Sequence, residues 1–179
     1  MKKSQHGFTL VELVTIIILI GILAVNVLPT FDGSASYEAH SHRAQLISAL
    51  RLTQQRAMQQ TDPDAVAADQ PYCHQVIFDK ALNVARYGVP NRLDCSVISF
   101  AGWQPDATGF EVDKKYQVSF DIDGKANPSA VTFDSMGRPI ANASLSLANN
   151  CLGGCTINVH SSVETLKIRI ESEGYIHAI

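Results

Sequence analysis

The chain of 179 residues lacks the motifs on which most enzymes are built. It has no glycine-rich phosphate loop, no Gly-x-Ser-x-Gly elbow and no His-Glu-x-x-His pair. Its histidines (His6, His40, His42, His74, His160 and His177) are scattered along the chain. No nucleophile and base can be paired from them, so no enzymatic activity and no cofactor is expected. Positive charge is not in excess either: 14 Lys and Arg stand against 17 Asp and Glu, a net of -3. That removes the bulk electrostatic case for nucleic acid. A local patch could draw on Arg86, Arg92, Lys114, Lys115, Lys125, Arg138, Lys167 and Arg169, but these alternate with acidic residues and read as solvated surface. Tandem repeats and low-complexity tracts are absent.

Cysteine is sparse, and its spacing is wrong for a metal. Cys73, Cys95, Cys151 and Cys155 include one C-x3-C and no paired C-x2-C, a poor zinc signature. Asp121 and Asp123 beside Gly124 are like the start of a calcium loop, yet Thr132 occupies the twelfth place, where such a loop needs glutamate. No metal is expected.

One long apolar run is present. From Phe8 to Leu28 only Thr9, Glu12, Thr15 and Asn26 are polar. A helix of that length, rising ~1.5 Å per residue, matches the ~30 Å hydrocarbon core of a bilayer. Lys2 and Lys3 precede the run, while Asp32 and Glu38 follow it. By the bias of basic residues toward the cytoplasm, the amino terminus should stay inside and the long remainder should cross. Glu12 does not fit a plain anchor, because a carboxylate inside such a helix costs up to ~2.5 to 3.5 kcal/mol. It wants a partner. A cut between Gly7 and Phe8 would supply one, a new amine with a pKa of ~8 at the head of the helix.

Lys2-Lys3, Gly7-Phe8-Thr9-Leu10-Val11-Glu12-Leu13, the apolar run and Pro29 together resemble the leader and first helix of type IV pilins and type II secretion pseudopilins. The resemblance implies that a prepilin peptidase cuts after Gly7 and that the amine of Phe8 is methylated. It also implies that Glu12 neutralises that amine during filament assembly. Implied partners are other major and minor pilins, the prepilin peptidase and an inner-membrane assembly platform. Implied locations are the inner membrane, as a single-pass protein, before assembly, and an extracellular pilus after it. The implied fold is the α+β pilin fold, a long amino-terminal helix packed on an antiparallel sheet. Its parts would be a leader at 1–7, a transmembrane polymerisation helix at 8–28, a kink and amphipathic continuation at 29–60, and a globular sheet domain at 61–179.

The residues support this organisation independently. Pro29 removes a helical hydrogen bond and restricts Leu28, so a bend is expected there. From Ser36 to Gln60, Tyr37, His40, Ala44, Ile47, Leu50, Gln54 and Met58 recur at helical steps, with Leu46, Ala49 and Ala57 widening the stripe. His40 and His42 are expected to be solvated or hydrogen-bonded. Thr61 to Pro71 reads as a loop. Strands are predicted at Tyr72–Phe78, Val84–Tyr87, Val97–Phe100, Tyr116–Ile122, Val131–Phe133, Ser144–Leu147, Thr156–Val159 and Leu166–Ile170, with a hairpin turn at Asp79-Lys80-Ala81. Export places the cysteines in an oxidising space, where three pairings are open. Cys73 with Cys95 and Cys151 with Cys155 is favoured, since Leu152-Gly153-Gly154 is a flexible link.

Val131 to Pro139, Leu166 to Tyr175 and Gln54-Gln55-Arg56-Ala57-Met58 resemble elements of H-type minor pilins and pseudopilins, most of all the minor pilins of the mannose-sensitive haemagglutinin pilus. Within Val131 to Pro139, Gly137 is expected at a positive-φ turn position and Pro139 at the end of a strand. The implied role is a minor subunit at the filament tip or in assembly initiation, supporting attachment to a host or abiotic surface. A secretion pseudopilin and a DNA-binding minor pilin of an uptake pilus are the alternatives.

Overall fold

The computed structural model describes residues 8–27, 33–59, 74–79, 85–89, 109–125, 129–141 and 151–179. The chain divides into two compact units, Met1–Ser34 and Ala35–Ile179. Pro29, Cys73, Cys95, the turn at Lys80-Ala81, the loop at 61–71 and the expected strands Val97–Phe100 and Ser144–Leu147 lie outside the described residues.

The first unit contains helix α1, Leu10–Val27. Thr9 caps it: the Glu12 N–H donates to Thr9 Oγ1 at 3.3 Å, and the Leu13 N–H donates to the Thr9 carbonyl at 3.2 Å. Thr9 and Glu12 thus occupy the first and last places of a Ser/Thr-x-x-Glu capping sequence. Further along, the Thr15 hydroxyl donates to the Glu12 carbonyl at 2.9 Å, which satisfies a polar group inside the apolar run. Among the described residues no helix is long and apolar enough to cross a membrane. At ~1.5 Å per residue the 18 residues of α1 rise about 27 Å, short of a ~30 Å hydrocarbon core.

The second unit opens with helix α2, Gly33–Met58. Its buried residues are Ala35, Ala39, His42, Leu46, Ala49, Leu50, Thr53 and Ala57, at steps of three and four. This stripe is turned relative to the one the sequence suggests. Tyr37, His40, Ala44 and Met58 are exposed, whereas His42 and Thr53 are inside. Thr53 can be buried because its hydroxyl donates to the Ala49 carbonyl one turn back, at 2.9 Å. His42 is surrounded edgewise by the rings of Tyr87, Phe110 and Phe120, at centroid distances of 6.2, 5.8 and 5.9 Å. Burial lowers its pKa from the ordinary imidazole value of 6.5, against the smaller opposing pull of Glu38 one turn away.

Nine strands follow: β1 Gln75–Asp79, β2 Arg86–Gly88, β3 Phe110–Glu111, β4 Ser119–Ile122, β5 Ser129–Phe133, β6 Pro139–Ile140, β7 Cys155–His160, β8 Thr165–Ile170 and β9 Ile176–Ala178. They form two antiparallel sheets instead of the single sheet expected, one ordered β3-β2-β1-β5-β6 and the other β4-β7-β8-β9. The sheets differ in how they are covered. All five residues of β5 are buried, as in a strand packed on both faces, whereas β4 and β8 alternate between inside and outside. A short 3-10 turn at Lys114–Tyr116 replaces the start of the strand expected from Tyr116. Pro139 opens β6 instead of ending a strand. β6 is an edge of its sheet, where a missing N–H costs nothing.

One core joins the helix to both sheets. Leu46 and Leu50 of α2 belong to one buried cluster with Phe78, Tyr87 and Val131 of the first sheet and Ile157, Ile168 and Ile170 of the second. Tyr87 and Phe120 bridge the sheets ring to ring at 4.9 Å. The hydroxyl of Tyr87 stays satisfied by donating to Gln45 of α2 at 3.3 Å. The architecture is α+β, consistent with the pilin fold.

Candidate assembly site

Phe8 and the large apolar side chains of α1 as far as Leu23 have little cover. Twelve of them, Phe8 through Leu23, are exposed, by 42% at Ile16 to 80% at Leu10. Burying one such side chain is worth ~1.5 to 3 kcal/mol, so the set represents on the order of 20 to 30 kcal/mol. A domain is stable by only ~5 to 15 kcal/mol. Left in water, that apolar surface would carry a cost larger than the whole stability of a domain. The many β-branched residues of α1 are mediocre helix formers, and an isolated helix of this length is marginal in water.

Glu12 stands in the first turn of α1. There a carboxylate faces the positive end of the helix dipole, worth ~0.3 to 1 kcal/mol. A cut after Gly7 would place a cationic amine at that same end, where the dipole disfavours it. Glu12 is the nearest acid that could offset it. Gly7 itself lies outside the described residues, and Phe8 is 78% exposed.

Residues 2–25 match the family described as the prokaryotic N-terminal methylation motif. That motif indicates a type IV pilin-like or pseudopilin-like subunit. It also implies, in general terms, dealings with other pilins and with a prepilin peptidase, and it is consistent with membrane anchoring. No curated protein and no solved structure matches the chain.

Two turns of this pilin-like chain meet on α2. In the turn from β5 to β6, the Gly137 N–H donates to the Asp134 carbonyl, and the Met136 and Arg138 N–H groups donate to Asp134 Oδ1 at 2.9 and 2.8 Å. The Arg138 guanidinium closes on Asp134 Oδ2 with two bonds of 2.9 and 2.8 Å. Burial alone would raise the Asp134 carboxyl, but these donors outweigh it and hold it below its ordinary range. In the turn from β8 to β9, the Gly174 N–H likewise donates to the Glu171 carbonyl at 2.9 Å. Gly137 and Gly174 both take positive φ, +77° and +92°. From α2, Gln54 Nε2 donates to the carbonyls of both, at 2.7 and 2.6 Å. One glutamine thus fastens the helix to both sheets. Arg51 adds a bond of 2.8 Å to the Ile176 carbonyl.

Cys151 and Cys155 are joined, with Cα atoms 5.2 Å apart, around Gly153 and Gly154 at positive φ. Among the described residues no group of three or more His, Cys, Asp or Glu side chains is placed to hold a metal. Asp121 belongs to β4 and Asp123 to the turn that follows, so the two do not line one loop. Most of the described basic candidates are paired: Lys115 with Asp113 at 3.3 Å, Arg138 with Asp134, and Arg169 with Glu171 at 3.3 Å. Arg86 Nε lies 3.0 Å from Glu111 Oε2, an ion pair whose angle forms no hydrogen bond.

Sequence reasoning missed Thr9 as the cap of α1, although Thr-x-x-Glu before an apolar run is a readable signal. It missed Gln54 and Gly174 as a contact because their partners are remote in sequence.

Proposed function

We propose that the chain is a minor pilin of the mannose-sensitive haemagglutinin type, which enters a filament at its tip or primes its assembly and supports surface attachment. The observation that carries this reading is the uncovered apolar helix α1 with Glu12 in its first turn. Moving from lipid into a bundle of like helices keeps that surface out of water throughout. Glu12 then pairs with the Phe8 amine of a neighbouring subunit after cleavage behind Gly7, and the pair sets axial register because each charge is costly until matched. The span is completed by residues 8–28, with the domain delivered to the periplasm.

Glu12→Val is the test. The variant should insert in the membrane at wild-type level yet be lost from sheared filaments; normal recovery would remove the pairing role. A secretion pseudopilin reading shares the same motif. Deleting the gene separates the two, since loss of attachment supports the pilus and loss of protein export supports secretion. Pairing of Arg86, Lys115, Arg138 and Arg169 with acids disfavours DNA capture.

A further inference from the structure

Methionine is rare in this chain, and two of its three copies stand at one place. Met1 begins the chain, Met58 closes α2, and Met136 precedes Gly137 in the turn from β5 to β6. Met58 is 47% exposed. Its sulfur lies over that turn: the position of a Cβ on Gly137 is 3.0 Å from Met58 Sδ and 3.2 Å from both Cγ and Nε2 of Gln54. Sulfur and amide therefore share one side of the glycine. The thioether covers the turn and is still within reach of solvent.

The Gln54 amide has no donor to spare. It carries two N–H groups, and they go to the carbonyls of Gly137 and Gly174 at 2.7 and 2.6 Å. Both glycines are buried. A thioether is only a weak acceptor and does not compete for those protons. A sulfoxide does.

We propose that Met58 is a modification site through which a peroxide sets how firmly α2 holds the two sheets. The Sδ lone pair attacks one oxygen of hydrogen peroxide, and an S–O bond forms as the O–O bond breaks. The other oxygen leaves with both protons as water. Sulfur is oxidised by two electrons and the peroxide is reduced by the same two. The product is a polar side chain with a strong acceptor where an apolar one had been. Beside Gln54 its oxygen is satisfied in one of two ways. It takes an amide proton, which strips a buried carbonyl of its partner, or it turns into water, which lifts the apolar cover off the turn. Either loosens the contact. Reduction by methionine sulfoxide reductases regenerates the thioether and the contact with it. Met136 is the internal comparison: 68% exposed on the turn, it becomes a sulfoxide that water hydrates in place.

The full chain in detergent is treated with hydrogen peroxide. Peptide mass spectrometry reads sulfoxide at positions 58 and 136, and circular dichroism reads Tm before and after. Both methionines should be oxidised, Tm should fall by about 3 °C or more, and reductases for the two sulfoxide epimers should restore it. Met136→Leu should keep that fall, whereas Met58→Leu, a nearly volume-conserving exchange, should abolish it. Met58→Gln places a polar amide there without any oxidant and should lower the Tm of the untreated chain. Combined with Gln54→Ala it should cost less than the two changes made separately, because both act on one contact. The assignment is overturned if Met58 stays reduced under conditions that fully oxidise Met136, or if complete sulfoxide at position 58 leaves Tm unchanged. It is equally overturned if the fall persists in Met58→Leu, or if it remains after mass spectrometry shows the sulfur reduced again.

Discussion

Alanine at position 174 probes the junction of the two sheets with α2. An added Cβ would fall 2.1 Å from the Gly137 carbonyl oxygen, 2.7 Å from Gln54 Nε2 and 3.0 Å from the Gly137 carbonyl carbon. The nearest of these is backbone, so relief requires one turn to lift off the other. The residue also sits at φ +92°, where a side chain costs ~1 to 2 kcal/mol. Separating the turns breaks one or both Gln54 bonds, at ~0.5 to 1.5 kcal/mol each. Adding these costs to the relief of the clash gives about 3 to 5 kcal/mol for Gly174→Ala. Gly124 is the control: it has φ +69° and nothing within 4 Å of its added Cβ, so Gly124→Ala should cost only about 1 to 2 kcal/mol. Equilibrium urea unfolding of the full chain in detergent, followed by circular dichroism, measures both. Gln54→Ala should cost less than Gly174→Ala, and the double variant less than the sum, because the two act on one contact. If Gly174→Ala unfolds within 1 kcal/mol of Gly124→Ala, the turns are not packed as described and the reasoning fails.

Other consequences are smaller and separately measurable. Thr9→Val removes the cap of α1 and should cost ~1 kcal/mol, visible as faster amide exchange at Glu12 in detergent. His42 has a folded pKa below its unfolded value, so the unfolded chain binds the extra proton. Its contribution to stability is therefore full above pH 6.5 and is lost as pH falls from 6.5 toward the lowered folded value. His42→Leu should flatten that part of the stability-versus-pH curve relative to the natural chain; an unchanged slope would mean His42 is not held neutral. Replacing both Cys151 and Cys155 by serine opens a loop of sequence separation 4 and should cost ~2 kcal/mol, read as a fall in Tm of the double variant relative to the oxidised natural chain.

What the sequence reveals follows from how local each signal is. α1 is legible because an unbroken apolar run admits few alternatives, and β7 and β8 because Ile157, Val159, Leu166, Ile168 and Ile170 alternate with polar neighbours. The buried face of α2 was misplaced for a physical reason. Polar His42 and Thr53 go inside, one neutral among aromatic rings and the other bonded to its own helix, while apolar Tyr37 and Met58 stay out. Strands β3, β6 and β9 have two or three residues each, too few to show a period. The Gln54 junction spans 83 and 120 residues of sequence, and no local pattern encodes it. The division into two sheets is equally nonlocal, since it depends on β4 choosing β7 as its partner.

Everything assigned to α1 requires that the subunit in a filament begins at Phe8. Intact-mass spectrometry of the protein recovered from sheared filaments of its native cell reads this directly. The expected species lacks Met1 to Gly7 and carries one methyl group on the Phe8 amine. Assembled protein that retains Met1 to Gly7 would contradict the assignment of Glu12, of the cut and of the filament itself.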